Sequence, residues 1–106
     1  MQGPEGLLAV RAWGNPSLPT LVLVHGYPDN ASKWEGVAAC LSQRFHVVAY
    51  DVRGAGASFT PQGGIRAYAL ARLCSDFKAV IDAVSPQKPV HLVAHDWGSI
   101  QAWEFA

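Results

Sequence analysis

The segment Val93-Ala94-His95-Asp96-Trp97-Gly98 sets an aspartate between small residues, just after an apolar run and just before a helix-like tail. An ordinary aspartate is already ionised at neutral pH, so no base has to remove a proton before it attacks. Standing on a sharp turn, such a carboxylate can displace a leaving group from saturated carbon and form an ester. A water activated by a histidine would then attack the carboxyl carbon of Asp96, with the backbone N–H of Trp97 placed to stabilise the oxyanion. A serine at this point would perform acyl transfer, whereas Asp96 points to attack on carbon.

The spacing matches the nucleophile elbow, the strand-to-helix turn written G-x-S-x-G, with Ala94 and Gly98 at the small positions and Asp96 at the centre. Small flanks are a physical requirement, because the tight turn brings neighbouring backbone close while the central residue holds strained torsions. Taken alone, Asp96 reads equally well as a helix N-cap. Two further loops bear on the choice. In His25-Gly26-Tyr27-Pro28, Gly26 lets backbone approach, Pro28 fixes the turn, and the Tyr27 N–H would be a second oxyanion donor. The alternative there is a Gly/Pro turn with a packed His and Tyr. In Asp51-Val52-Arg53-Gly54-Ala55-Gly56-Ala57-Ser58 the glycines suggest a close-packed loop, which Asp51 and Arg53 would hold by charge-assisted hydrogen bonds. That loop supports a site and does not react.

Gly54-Ala55-Gly56 also resembles part of a dinucleotide fingerprint, but the third small residue would fall at Phe59 and the next helix starts too late to meet a pyrophosphate. No phosphate loop is present, so no cofactor is expected. His46 and His91 sit within apolar runs, and His25 and His95 end them without paired ligand spacing, so no metal is expected either.

The elements that must position these loops follow from patterning. Gly6 to Trp13 alternates loosely, as an early antiparallel strand would, until Gly14-Asn15-Pro16 breaks it. The continuous apolar runs Thr20 to Val24, Phe45 to Tyr50 and Val90 to Ala94 suit strands covered on both faces of a parallel sheet. Ser32-Lys33-Trp34-Glu35 reads as a capping box, followed by Trp34, Val37, Ala38, Leu41 and Phe45 at helical spacing. Leu70, Leu73, Cys74, Phe77, Val80, Ile81 and Val84 repeat with the same period until Ser85-Pro86, and Ile100 to Ala106 would begin a third helix. Strand and helix alternating with crossovers of this length predict an α/β fold built on a mostly parallel sheet with flanking helices. The three loops then gather at the carboxyl ends of the strands, where such sheets carry their chemistry.

Composition excludes several classes. The chain has 106 residues, half of them hydrophobic, and its charges balance to a formal zero. Lys and Arg are scattered among acids, so neither nucleic acid nor an anionic membrane is an expected partner. The start lacks a charged leader before an apolar stretch, and no run approaches the roughly 20 residues that cross a bilayer, so a cytoplasmic address is expected. Without export, the Asn30-Ala31-Ser32 glycosylation pattern carries no weight. Cys40 and Cys74 fall on predicted helices without metal-type spacing and are expected to be buried, reduced thiols.

Together, His25-Gly26-Tyr27-Pro28, Asp51-x-Arg53-Gly54-x-Gly56-x-Ser58 and His95-Asp96-Trp97-Gly98 resemble the α/β-hydrolase superfamily and, within it, the epoxide hydrolase branch. The resemblance implies Asp96 as nucleophile, Tyr27 and Trp97 as backbone oxyanion donors that also line the pocket, and His25, Gly26, Pro28, Asp51, Arg53 and Gly98 as support. It implies a small-molecule epoxide opened to a diol through an alkyl-enzyme ester. A cap domain with ring-polarising tyrosines, an acid and a general-base histidine would come from later sequence. Haloalkane dehalogenases share the Asp-Trp-Gly elbow, although they tend to place Asn or Glu where this chain has Tyr27. A non-catalytic relative that uses the pocket for binding is a further alternative. The stretch from Leu21 to Ala106 also resembles a bacterial subgroup in which the hydrolase precedes a short-chain dehydrogenase/reductase domain.

One domain of the α/β kind commonly needs roughly 200 to 250 residues. Residues 1–106 are therefore expected to be the N-terminal portion of an α/β-hydrolase domain, inactive in ester turnover by themselves, with an exposed sheet edge and uncovered apolar faces.

Overall fold

A computed structural model describes residues 1–26, 30–86 and 88–105, apart from the side chains of Trp97 and Phe105. The apolar runs form strands β2 (Thr20–Val24), β3 (His46–Tyr50) and β4 (His91–Ala94), preceded by β1 (Val10–Trp13). Their order in the sheet is β1-β3-β2-β4, with β1 antiparallel to β3 and the other pairings parallel. In register, Val24 lies beside Tyr50 and Ala94, so three strands end level with one another.

From β2 the chain steps to one side through helix α1 (Glu35–Leu41) to reach β3, then crosses back through α2 (Leu70–Val84) to reach β4. Crossovers of one hand taken in opposite directions put their helices on opposite faces of a sheet. Accordingly Leu21, Leu23, Val47 and Ala49 pack with Trp34 and Ala38 on the α1 face, whereas Val22, Val24, Val48 and Tyr50 pack with Phe77 and Val80 on the α2 face. Helix α3 (Trp97–Phe105) joins α2, adding Ala102 to the second core. Phe77 and Val80 are fully buried, and each such side chain contributes about 1.5–3 kcal/mol on leaving water. The reversal of direction at β2 opens a crevice at its carboxyl end.

The elements differ from the sequence pattern in several places. α3 begins at Trp97, three residues before Ile100 where the pattern started it, and a 3₁₀ turn forms at Gly64–Tyr68 where no element was expected. Regular pairing begins at Val10, while Leu7 makes only an isolated antiparallel bridge to Gln2. Ser32 does not cap the first helix: Asn30 accepts from the Ser32 N–H and starts a 3₁₀ turn, Ala31–Trp34, which leads into α1. β4 is not covered on both faces, since it pairs only with β2 and leaves His91 and Val93 exposed. On α3, Trp103 is 84% exposed and Ile100 48% exposed. Cys40 is exposed and Cys74 half-buried, so only the free-thiol part of that expectation holds. Among the described residues no helix is long and apolar enough to cross a membrane.

Candidate active site

Asp96 occupies the turn between β4 and α3 with φ at +57°, and it is the only non-glycine residue with positive φ among those described. This left-handed region costs a residue with a Cβ about 1–3 kcal/mol and persists only where surroundings enforce it. The surroundings are backbone. His95 N–H donates to Val24 O at 3.1 Å, Gly98 N–H to His95 O at 3.0 Å, and Ser99 N–H to Asp96 O at 2.9 Å. Those last donors are the ones an N-capping carboxylate would take, so the side chain of Asp96, which is exposed, does not act as a cap. Trp97 is the first residue of α3, where backbone N–H groups lack a helical acceptor.

Two glycines admit this turn. A Cβ on Gly98 would meet His25 O at 2.6 Å and Val24 O at 2.7 Å, so only glycine lets α3 start directly against the end of β2. A Cβ on Gly26 would lie 2.6 Å from Asp96 Cβ and 2.9 Å from its Oδ2. Gly26 thus forms the wall against which the carboxylate rests. Tyr27 and Pro28 lie outside the described residues.

His25 is buried, and the Val52 N–H donates to its Nε2 at 2.8 Å. Nδ1 therefore carries the hydrogen and donates to Gly26 O at 2.8 Å. Both ring nitrogens serve to tie the loop after β2 to the loop after β3. Asp51 performs a similar task by accepting from Ala31 N–H at 2.7 Å and Ala57 N–H at 2.9 Å, one oxygen to each. Arg53 is buried and faces Asp76 of α2 in a two-pronged pair, Nε to Oδ2 at 2.7 Å and Nη2 to Oδ1 at 2.8 Å. It also donates to Ala67 O at 2.8 Å and to Glu5 Oε2 at 3.0 Å. The Asp76 hydrogen bonds raise the Arg53 pKa further, against the opposing effect of burial. Asp51 and Arg53 thus support the loop through separate partners.

A cavity of about 800 Å³ opens beside the elbow. Gly26 lies on its rim, Val52, Leu70, Leu73 and Ile100 supply apolar wall, and Gln101 of α3 closes part of it. Asp96 does not line this space, whereas Gly26, on which an added Cβ would meet Asp96, does. Outside this cavity, burial pushes the Cys74 thiol up, with Glu104 adding to the shift, which disfavours its thiolate.

A profile of the alpha/beta hydrolase fold matches residues 19–106. The chain belongs to this family. Over 106 residues this α/β-hydrolase chain is 49% identical to a "Probable oxidoreductase EphD" of Mycobacterium tuberculosis, covering 99% of this chain and 18% of that protein. It is 37% identical over 91 residues to "Epoxide hydrolase A" of the same species, covering 85% of this chain and 28% of the relative. The crystal structure of epoxide hydrolase VrEH1 from Vigna radiata superposes with a TM-score of 0.91 at 31% identity, covering 99% of this chain and 33% of that one. The chain thus spans 18% and 28% of the two curated relatives.

Within the α/β-hydrolase chain, the structure brings His25, Gly26, Asp96 and Gly98 together at the carboxyl ends of β2 and β4, with Asp51 and Arg53 behind them. Sequence reasoning missed Asp76, Glu5 and Gln101. A signal for Asp76 existed: it lies beside Phe77 on the α2 stripe that carries Leu73, Phe77 and Val80, and an acid buried there requires a cation.

Proposed function

We propose that this chain carries the nucleophile of an enzyme that opens epoxides. The observation that carries the reading is the positive φ of Asp96 at an exposed strand-to-helix turn, because strain of this kind is maintained where a side chain must be presented. In the proposed reaction one Asp96 oxygen attacks a ring carbon, the carbon–oxygen bond of the epoxide breaks, and the ring oxygen takes a proton from an acid. The resemblance assigns that acid to tyrosines of a cap. Water then adds to the carboxyl carbon of Asp96, and the tetrahedral oxyanion is held by the backbone N–H groups of Tyr27 and Trp97. Collapse releases a diol and restores the carboxylate, one of whose oxygens now comes from water.

His25 is unsuited to activate that water, since both its ring nitrogens are engaged. The base is proposed to come from sequence beyond this stretch, which by itself would be limited to a single alkylation of Asp96. The similarity to "Epoxide hydrolase A" and to the Vigna radiata epoxide hydrolase favours an epoxide over a halide as substrate. The oxidoreductase in the name of the 49% relative supports an accompanying reductase domain, here proposed to be of the short-chain dehydrogenase type.

Repeated turnover of an epoxide by the full-length protein in heavy-oxygen water tests the mechanism. Mass spectrometry of the Asp96 peptide is expected to show label entering the carboxylate. An active enzyme whose Asp96 stays unlabelled would exclude the ester.

A further inference from the structure

The carbonyl of Gly26 and the N–H of Tyr27 belong to one peptide unit, and a side chain grips that unit by its oxygen. His25 Nδ1 donates to Gly26 O at 2.8 Å, while the Val52 N–H donates to Nε2 at 2.8 Å. The two bonds depend on each other. A neutral imidazole carries one hydrogen, and the Val52 N–H, by taking Nε2 as its acceptor, obliges that hydrogen to sit on Nδ1. In the other tautomer lone pairs would face each other at Nδ1 and Gly26 O, and hydrogens at Nε2 and the Val52 nitrogen. His25 is 3% exposed, so such a mismatch would leave buried polar groups without partners.

A peptide unit is planar and, ahead of a residue other than proline, almost always trans, which sets its N–H on the side opposite its C=O. Fixing Gly26 O toward the imidazole therefore fixes the direction of the N–H at the other end of the unit, away from the ring. Accepting a hydrogen bond at the oxygen also polarises the amide and strengthens its N–H as a donor. The unit lies beside the reacting group. A Cβ on Gly26 would meet Asp96 Oδ2 at 2.9 Å, and only the carbonyl carbon separates Gly26 Cα from the nitrogen in question.

We infer that His25 is a positioning residue for ester hydrolysis: through Gly26 O it turns the N–H of Tyr27 toward the Asp96 carboxyl, and the Val52 N–H selects the tautomer that can do so. This rests on the epoxide reading of Asp96. The two steps of that reaction use the N–H differently. Alkylation carries negative charge away from the Asp96 carboxylate to the ring oxygen, so this donor gives it no help. In hydrolysis the oxygen of water bonds to the carboxyl carbon, and the π pair of the C=O moves onto the oxygen that the N–H faces, where charge develops. Loss of the His25 donor should thus slow the breakdown of the ester and spare its formation.

The test is a single-turnover reaction of the full-length protein with 1,2-epoxyhexane, quenched at intervals and followed by the mass of the intact protein. The alkylated form rises as the ester forms and falls as it is hydrolysed. Two variants separate the bonds of His25. Glutamine puts an amide oxygen where Nε2 stood and accepts from the Val52 N–H, but brings no donor to Gly26 O. Asparagine puts its NH2 where Nδ1 stood and keeps that donor. His25→Gln is expected to lose about a hundredfold in ester hydrolysis, as when an oxyanion donor is removed, with alkylation unchanged, so that the ester accumulates. His25→Asn is expected to accumulate far less of it. Slowing of both steps alike, or equal accumulation in the two variants, overturns the inference, because either result would trace the effect to loop packing. If circular dichroism shows that the variants do not fold, histidine-selective nitrogen-15 NMR of the unmodified protein decides. A hydrogen on Nδ1 with a bare Nε2 at His25 supports the inference, and the reverse tautomer overturns it. An unmodified protein that forms no ester at Asp96 removes the epoxide reading itself. Normal ester turnover in the unmodified protein without accumulation in His25→Gln removes only the role of His25.

Discussion

Gly26 and Asp96 face each other across the crevice at the end of β2, so closely that a single added methyl on Gly26 would lie 2.6 Å from Asp96 Cβ and 2.9 Å from Oδ2. The carboxylate is therefore aimed by a missing side chain as much as by its own torsions. His95 O lies 2.9 Å from the same point, so relief by movement of the side chain alone is blocked by backbone.

Gly26→Ala in the full-length enzyme is expected to displace Asp96 and lower kcat by about a hundredfold, since misplacement of a reacting group by about 1 Å costs that much. Steady-state kinetics with the circular dichroism spectrum as a control for folding checks this. A variant with normal kcat would mean that Asp96 does not need this wall.

The strain at Asp96 sets stability against activity. Asp96→Gly relieves a left-handed residue and is expected to raise stability by about 1 kcal/mol while abolishing ester formation. Asp96→Asn should also be inactive but stay near the original stability, because asparagine tolerates this region better than most residues. Denaturant midpoints of the three proteins compared with single-turnover alkylation decide the matter, and a destabilised glycine variant would contradict strain at the elbow.

Arg53 and Asp76, 23 positions apart in sequence, join the loop after β3 to α2. Asp76→Ala leaves a buried guanidinium without its main partner and is expected to cost about 3–5 kcal/mol in urea unfolding. Replacing both by apolar residues of similar volume, Arg53→Met with Asp76→Leu, should cost less than the single change. A double variant as unstable as the sum of the single ones would show that the pair does not act as a unit.

Much of the fold is legible because one physical rule decides it. α2 has one apolar stripe and a Ser85-Pro86 stop, and it runs from Leu70 to Val84 as its pattern indicates. β2 is apolar throughout and buried throughout. β4 has a similar composition but half its residues are exposed, because burial also depends on a strand's place in the sheet, which composition does not carry. At the site, Asp96 and its small flanks are readable since local sterics impose them. Glu5 and Asp76 are not readable in this way, because they meet Arg53 across 48 and 23 positions only after the sheet has assembled. Gln101 left a fainter trace, as a polar residue among Ile100, Ala102 and Trp103 in a helix otherwise mostly apolar.

The remaining prediction concerns acid. Glu5 accepts from Arg53 at 3.0 Å and from Arg72 at 2.9 Å, which fastens the N-terminal segment to the site's supporting cluster. The Arg53 hydrogen bond is the largest influence holding this carboxyl below its ordinary 4.5, and the charges of Arg53 and Arg72 act in the same direction. A carboxylate whose folded value lies below its unfolded one stabilises fully above the unfolded value and loses that contribution as pH falls through the folded value. The difference in melting temperature between the unmodified protein and Glu5→Gln should thus stay constant from neutral pH to just above 4.5 and shrink below it. Amide exchange at Gly3 and Leu8, whose N–H groups donate to Gly6 O and Met1 O, should accelerate over the same acid interval. A difference that persists unchanged well into acid would show that the two arginines do not hold Glu5 as a carboxylate.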